Sequence, residues 1–480
     1  MMKKILIFAV VLALLVPAAA LADTEFSLGG YIKLDSYWDS TQQGKNINGA
    51  VARDNDQSFH HGNLRFTAQG SRFNFTIKGP EVLGAKLTGF IEMDFDSCTD
   101  VGSISALSSN AAPTNAGSQS ASNNYIPRLR HAMFRLNWPC DTELLFGQYW
   151  SMFCDWFPEV AEDGPFQVTG IPTARLPQIR LTQGFAGDWK VAGLIGLANS
   201  ATATTGLLNG NPYGITTTSG GDAETPQIQG QLKYAHDWWG KAAFFGNPIP
   251  FTASITAGWQ RNIQRYGVIN PVGLNWVGYN GWMANTYLNP WMIQGSLFIP
   301  VIPTYTKDLT GTAHLLIQPW IGQGTNEFGM AGDGTGVFKF NYMGRGGVAD
   351  VSEELLHRFG AMLEGQYYFT NQWFLNAAYG VSAAFDVNQS HVATGFYPQY
   401  AYNNPLGQSR MNQQVDATLW YQPIKALKFG LQYSFMQTKW VSDAYPNANG
   451  AAGPTLVQAN GRPSDLGHEH RIEFAGFFFF

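Results

Sequence analysis

The feature that most constrains this chain is a two-residue rhythm. Segments of about ten residues carry an apolar side chain at every second position, and they recur as far as the last residue, Phe480. In the first of them Phe26, Leu28, Gly30, Ile32, Leu34, Ser36 and Trp38 alternate with Ser27, Gly29, Tyr31, Lys33, Asp35 and Tyr37. Such a strand has one apolar and one polar face, and about 9–11 tilted residues of it cross a bilayer. After the N-terminal leader no stretch approaches the roughly 18 consecutive apolar residues of a spanning helix. The expected fold is therefore all-β: a transmembrane antiparallel barrel.

The rhythm predicts strands over 26–38, 62–78, 85–96, 125–137, 142–150, 174–185, 188–198, 226–236, 251–263, 290–299, 312–321, 356–369, 373–386, 412–421, 426–440 and 468–480. That makes sixteen. Short connections fall at 79–84, 138–141, 186–187, 370–372 and 422–425, with medium ones at 237–250 and 300–311. Long ones fall at 39–61, 97–124, 151–173, 199–225, 264–289, 322–355, 387–411 and 441–467. Short and long alternate throughout, as in bacterial barrels with short periplasmic turns and longer external loops. An even count also puts both ends of the barrel on the periplasmic side. Gln69-Gly70-Ser71, inside the long 62–78 strand, predicts a bulge; a hairpin there would break the even count.

Residues 1–22 read as a secretory signal: Lys3 and Lys4, an apolar core from Ile5 to Val16, and Ala20-Leu21-Ala22 before a cut. The barrel domain then spans 23–480. Only 13% of residues are charged and 14% are aromatic, with 53 glycines. The mean hydropathy of −0.13 fits a sheet with one wet face as well as a soluble protein. A net charge of −5 gives no reason to expect a nucleic-acid partner. The final strand carries Ile472, Phe474, Phe478 and Phe480 on one face, the form of the signal read by the barrel-assembly machinery. Exposed to water, that tail would be an aggregation liability.

An arginine facing lipid at mid-bilayer costs about 2–4 kcal/mol, so strand-centre arginines should point inward. Arg65, Arg72, Lys78, Arg128, Arg130 and Arg180 are the expected basic lining. Arg135 has the opposite parity to Arg128 and Arg130, which requires either a bulge or a place at the rim. Glu92, Asp94 and Asp96 are the expected acidic lining. Two arrangements fit: a basic wall facing an acidic patch across the lumen, or charges that pair with one another and brace the barrel. The loop 97–124 is the third-strand loop, which in sixteen-stranded barrels of this kind often folds inward and narrows the pore.

Several stretches resemble DcaP-type and related proteobacterial porins. They are Leu64-Arg65-Phe66-Thr67-Ala68-Gln69-Gly70-Ser71-Arg72-Phe73, Phe90-Ile91-Glu92-Met93-Asp94-Phe95, Arg128-Leu129-Arg130-His131-Ala132, Leu144-Leu145-Phe146-Gly147-Gln148-Tyr149-Trp150-Ser151 and Pro177-Gln178-Ile179-Arg180. They fall within about residues 62–182; beyond 190 the likeness is architectural only. The resemblance implies a sixteen-stranded, commonly trimeric porin with an arginine-lined constriction favouring small anions such as carboxylates. Arg65, Arg72, Arg128, Arg130 and Arg180 are the positions that carry over. The chain departs from that family in one respect: the first strand begins almost at Asp23, with no coiled-coil extension before it.

Other constellations are weaker. His468 and His470 share a strand face but lack a third ligand, and no metal or cofactor is expected. A Cys98–Cys154 disulfide is geometrically allowed, both residues lying at the external end, whereas Cys140 falls in a periplasmic turn. No CxxCH or GxSxG element occurs, and no nucleophile–base set argues for an enzyme. The leading expectation is an outer-membrane porin of a Gram-negative bacterium, exported through the periplasm, held in lipid and passing small hydrophilic or anionic solutes. The rival is a barrel that sheaths a partner such as an electron-transfer cytochrome, or one that is structural or adhesive. Transport of apolar compounds would need an apolar lumen and a plug, and neither shows in the sequence.

Overall fold

The computed structural model describes residues 24–41, 51, 54, 61–96, 127–161, 168–197, 215–217, 225–266, 284–330, 336–342, 349–385, 409–440 and 466–480. The N-terminal segment 1–22, the loop 97–124 and Cys98 lie outside them.

The barrel strands are β1 (Glu25–Asp39), β2 (Asn63–Thr67 continued by Arg72–Val82), β3 (Ala85–Asp94), β4 (Arg128–Trp138), β5 (Thr142–Trp150), β6 (Arg175–Phe185), β7 (Trp189–Gly196) and β8 (Gln227–His236). They continue as β9 (Phe251–Trp259), β10 (Trp291–Ile302), β11 (Ala313–Gln323), β12 (His357–Tyr368), β13 (Trp373–Ala384), β14 (Ser409–Ile424), β15 (Leu427–Trp440) and β16 (Leu466–Phe479). The main sheet has seventeen hydrogen-bonded segments. Both halves of β2 pair antiparallel with β1, so they are one strand and the barrel has sixteen. β1 pairs with β16 from Tyr31 opposite Phe479 to Asp39 opposite Arg471, which closes the ring and leaves no edge.

The break in β2 is the bulge that Gln69-Gly70-Ser71 predicts, not a hairpin. Ser71 N donates to Ala68 O at 3.0 Å, and Lys33 N donates to Ser71 Oγ at 3.0 Å, re-joining the strand to β1. A second irregularity sits in β4. Glu92 pairs with His131 but Met93 pairs with Leu129, so Arg130 is the extra residue. A bulge reverses parity. It turns Arg128 and Arg130, and beyond them His131, Met133 and Arg135, to one side, and so settles the parity conflict at Arg135.

The outward face is apolar: Phe26, Leu28, Ile32, Leu34, Phe359, Leu375, Leu431 and Phe474 are all exposed. The interior is not an open tube. The segment after β5 leaves the wall, crosses the lumen over 151–161 and returns over 168–174. Its Trp156, Val160, Val168 and Ile171 pack on Phe298, Leu316, Met362 and Ala378 of β10 to β13. Sequence reasoning expected an aqueous channel. Along β10 to β14 the lumen is instead filled by the chain itself: Phe298, Leu316, Met362, Phe374 and Trp420 point inward and are buried beside the polar Gln294, Gln318, Glu364, Asn376 and Asp416.

A candidate channel constriction

The folded-in segment is fixed at both of its described stretches, 151–161 and 168–174. Gln229 Oε1 accepts from Ser151 Oγ at 3.0 Å and from Met152 N at 2.8 Å. Gln294 Nε2 donates to Phe153 O at 2.8 Å, and Asp155 pairs with Lys233 at 2.8 Å. Glu159, 3% exposed, is the anchor. Its carboxylate pairs with Lys428 and accepts from Gln366 Nε2 at 2.7 Å. Its backbone N–H donates to Glu364 at 2.8 Å, and its carbonyl accepts from Trp420 Nε1 at 2.8 Å. Lys33 Nζ reaches Ala161 O at 2.8 Å from β1. On the way back Trp320 Nε1 donates to Gly170 O at 2.8 Å. Gly380 makes that return possible, since a Cβ there would collide with the Thr169 carbonyl. Strand carboxylates and amides thus supply the partners that loop backbone needs when it leaves water.

An open space lies between this segment and the wall β1 to β5. It is a cavity of about 420 Å³ bordered by Tyr31, Arg72, Glu92, Arg130, His131 and Trp150 on the wall side. Asp155, Phe157 and Glu159 border it from the loop, and Lys428, Phe477 and Phe479 from β15 and β16. The cations lie over aromatic faces. Arg72 is 5.2 Å from the Tyr31 ring, and Arg130 and Arg175 are 5.6 and 5.0 Å from Trp150.

The charged residues singled out from the sequence do not form opposed walls. Glu92 and Asp94 stand between the arginines, on the strand flanked by β2 and β4. Arg130 donates to Glu92 at 2.7 Å and to Asp94 at 2.8 Å. Arg128 holds Asp94 in a two-bond fork of 2.9 and 2.7 Å and reaches Asp96 at 3.1 Å. Arg72 Nη1 is 3.8 Å from Glu92. Arg72, Arg130 and Glu92 border the cavity. Arg128, Asp94 and Asp96 sit further toward the long-loop end. Arg65, nearer that end still, lies against the Asn63 amide. Lys78 is at the opposite rim, in an exposed pair with Glu25 at 3.0 Å. Arg180 is folded back on Gln178 and the Trp150 carbonyl.

Two further positions bear on the sequence reading. The Cys154 thiol donates to Pro172 O at 3.2 Å, and burial pushes that thiol up to about 12. Its expected partner Cys98 lies outside the described residues. Among the described residues the loop that folds inward is 151–161 with 168–174, the third long loop in chain order; 97–124, the second, lies outside them. Composition carried the signal. The segment 151–161 contains Met152, Phe153, Trp156, Phe157 and Val160, whereas 97–124 is Ser-, Ala- and Asn-rich. Arg175 is the functional candidate the strand reading passed over. It is within electrostatic reach of Arg128 and Arg130, and its Nη1 has no hydrogen-bond partner among the described residues.

The assembly-signal face is outward, with Ile472 50%, Phe474 43%, Phe478 48% and Phe480 49% exposed. His468 pairs with Asp54 at 2.8 Å and His470 Nδ1 lies 2.8 Å from Tyr433 OH. Among the described residues no group of three or more His, Cys, Asp or Glu side chains suits a metal ion.

No protein-family model matches the chain, and no curated protein matches it. Among solved structures it superposes on the outer membrane channel DcaP of Acinetobacter baumannii with a TM-score of 0.61 at 17% identity, covering 96% of this chain and 98% of that one. The chain has the fold of that channel. An anion-selective porin from Comamonas acidovorans aligns at a TM-score of 0.47 and 10% identity, covering 95% and 100%. The trimer form of OmpT, an outer membrane protein of Vibrio cholerae, aligns at 0.46 and 9%, covering 95% and 99%. The fold assignment rests on the first of the three.

Proposed function

We propose that this protein is an outer-membrane porin, a passive channel for small hydrophilic solutes that prefers anions. One observation carries the reading. A sixteen-stranded barrel is wide enough to hold an aqueous path, and the part of the lumen left unfilled is bordered by a wall in which arginines outnumber carboxylates. Glu92, Asp94 and Asp96 are engaged by Arg72, Arg128 and Arg130. Arg175 and Arg180 have no carboxylate partner among the described residues. The loop acids bring their own cations, Lys233 for Asp155 and Lys428 for Glu159. Fixed positive charge beside a low-dielectric wall raises the local concentration of anions.

The sheath reading is disfavoured by the segment 151–161, which crosses the lumen and is bonded to strands on its far side. The trimer form of the OmpT structure is a property of that protein. We extend trimer assembly to this chain as part of the proposal, to be read by cross-linking in native membranes. Outer-membrane residence and use of the assembly machinery belong to the same proposal. The deciding experiment is a planar-bilayer recording under a KCl gradient. Discrete steps with an anion-favouring reversal potential, weakened in Arg175→Ala, are expected. Folded barrels that give no steps would remove the channel reading.

A further inference from the structure

The short-turn-end connection between β8 and β9 does not stay at the rim. Within it Ala242–Phe244 and Asn247–Ile249 pair as a small hairpin. Its base is pinned to the neighbouring turn: Lys241 and Thr304 exchange backbone hydrogen bonds of 3.0 and 2.7 Å, and Trp239 Nε1 donates to Pro300 O at 2.7 Å. Its arms go into the barrel. Ala242 and Ala243 are fully buried, and His314 Nδ1 lies 2.6 Å from Ala243 O. Phe244 packs edge-on against Trp156 of the folded-in loop, with ring centroids 4.9 Å apart, and edge-on against Phe298 at 5.9 Å. Two insertions from opposite ends therefore meet inside the lumen.

The tip is where the hairpin departs from local preference. Phe245 and Gly246 form its two-residue turn with φ of 48° and 73°. A turn with positive φ at both positions favours Asn, Asp or Gly first, and a bulky residue there is strained. The strained side chain is not recovered by burial. Phe245 is 46% exposed, borders the cavity and stands 6.0 Å from Lys428 Nζ. Its one ring contact among the described residues is edge-on with Phe244 at 4.8 Å, and the rest of this strained aromatic is held by a pinned scaffold facing the cavity.

We propose that Phe245 is the width-determining residue of the channel exit. The hairpin is an aromatic finger that narrows the path between the folded-in loop and the short-turn mouth. Arginines on β2 to β6 select by charge, and the finger then limits size without regard to charge. This rests on the channel reading above.

The test is a planar-bilayer comparison of the wild-type protein with Phe245→Asn and Phe245→Trp. Three quantities are read: step conductance in KCl, the largest polyethylene glycol that enters, and reversal potential. Asn suits the turn, so the finger stays folded, and heat-modifiability on gels verifies the barrel. Phe245→Asn should raise the step roughly two-fold and admit larger glycols, Phe245→Trp should lower both, and the reversal potential should stay put. Equal conductance and cut-off in all three folded proteins would overturn the assignment. So would a change confined to reversal potential. A wild-type protein with no steps would instead remove the channel reading, and the finger with it.

Discussion

Two strips of charged side chains face the inside of this barrel, and the chain treats them differently. On β2 to β4, Arg72, Glu92, Asp94, Arg128 and Arg130 form a ladder in which Arg72 and Arg128 keep 17% and 28% of their side chains exposed. On β14 to β16 and β1, Asp416, Glu469, Arg471, Glu473, Lys33, Asp35 and Asp39 are each at most 3% exposed. There Arg471 grips Asp39 at 2.6 and 3.1 Å and stacks on Tyr37 at 4.3 Å. Lys33 pairs with Asp35 at 2.8 Å. The second strip carries more acids than bases, yet it offers little field to a passing ion. The difference lies in what covers it: Ala161 of the folded-in loop takes Lys33, and Thr41 donates to Glu469 at 2.8 Å. The same alternation puts both strips inside. Only the covered one becomes scaffold.

The sharpest way to break this contrast is Arg471→Met. It leaves Asp39 and Glu469 buried with their main cation gone, and breaking such a pair costs about 3–5 kcal/mol. The urea midpoint of the folded barrel, read by its gel-mobility shift, should fall accordingly; an unchanged midpoint would mean the strip is not scaffold. Arg130→Ala on the open strip should behave otherwise. A stability loss of about 1–3 kcal/mol is expected from Glu92 and Asp94 losing donors, together with a reversal potential displaced toward cations. A stability loss with no displacement would place Arg130 with the scaffold.

Glu159→Gln probes the loop that divides the two strips. It keeps a hydrogen-bonding side chain but removes the charge opposite Lys428. The barrel should survive while the open-channel current flickers more often, because the loop loses its one ionic anchor at that depth among the described residues. A current as quiet as wild type would show that the surrounding amide contacts suffice. The smallest effect is chemical. In a Cys98→Ser background, maleimide should label exposed Cys140 and leave Cys154 untouched, since a buried, neutral thiol is a poor nucleophile. Rapid labelling of Cys154 would mean the loop leaves the lumen.

Much of the site was legible strand by strand. Parity alone put Glu92 and Asp94 inward, and the same parity puts Lys33 and Asp35 opposite Ile32 and Leu34, and Arg471 and Glu473 opposite Ile472 and Phe474. Phe477 and Phe479 were equally readable as inward residues, and they border the cavity. Arg135 was not readable, because a bulge at Arg130 resets the count and nothing in Arg-Leu-Arg-His-Ala announces it.

The sequence by itself determined the barrel, its sixteen strands and, away from the bulge in β4, which face of each meets lipid. Those are properties of a period-two pattern and of alternating connection lengths, and both are local. Only the tertiary structure decided how much of the lumen is left. The course of 151–174 and of the hairpin Ala242–Ile249 depends on partners more than fifty residues away, such as Glu364, Gln432 and Lys428 for the loop and His314 for the hairpin. A loop enters a barrel only when the wall it meets satisfies its backbone, and that match is written in no single stretch of the chain.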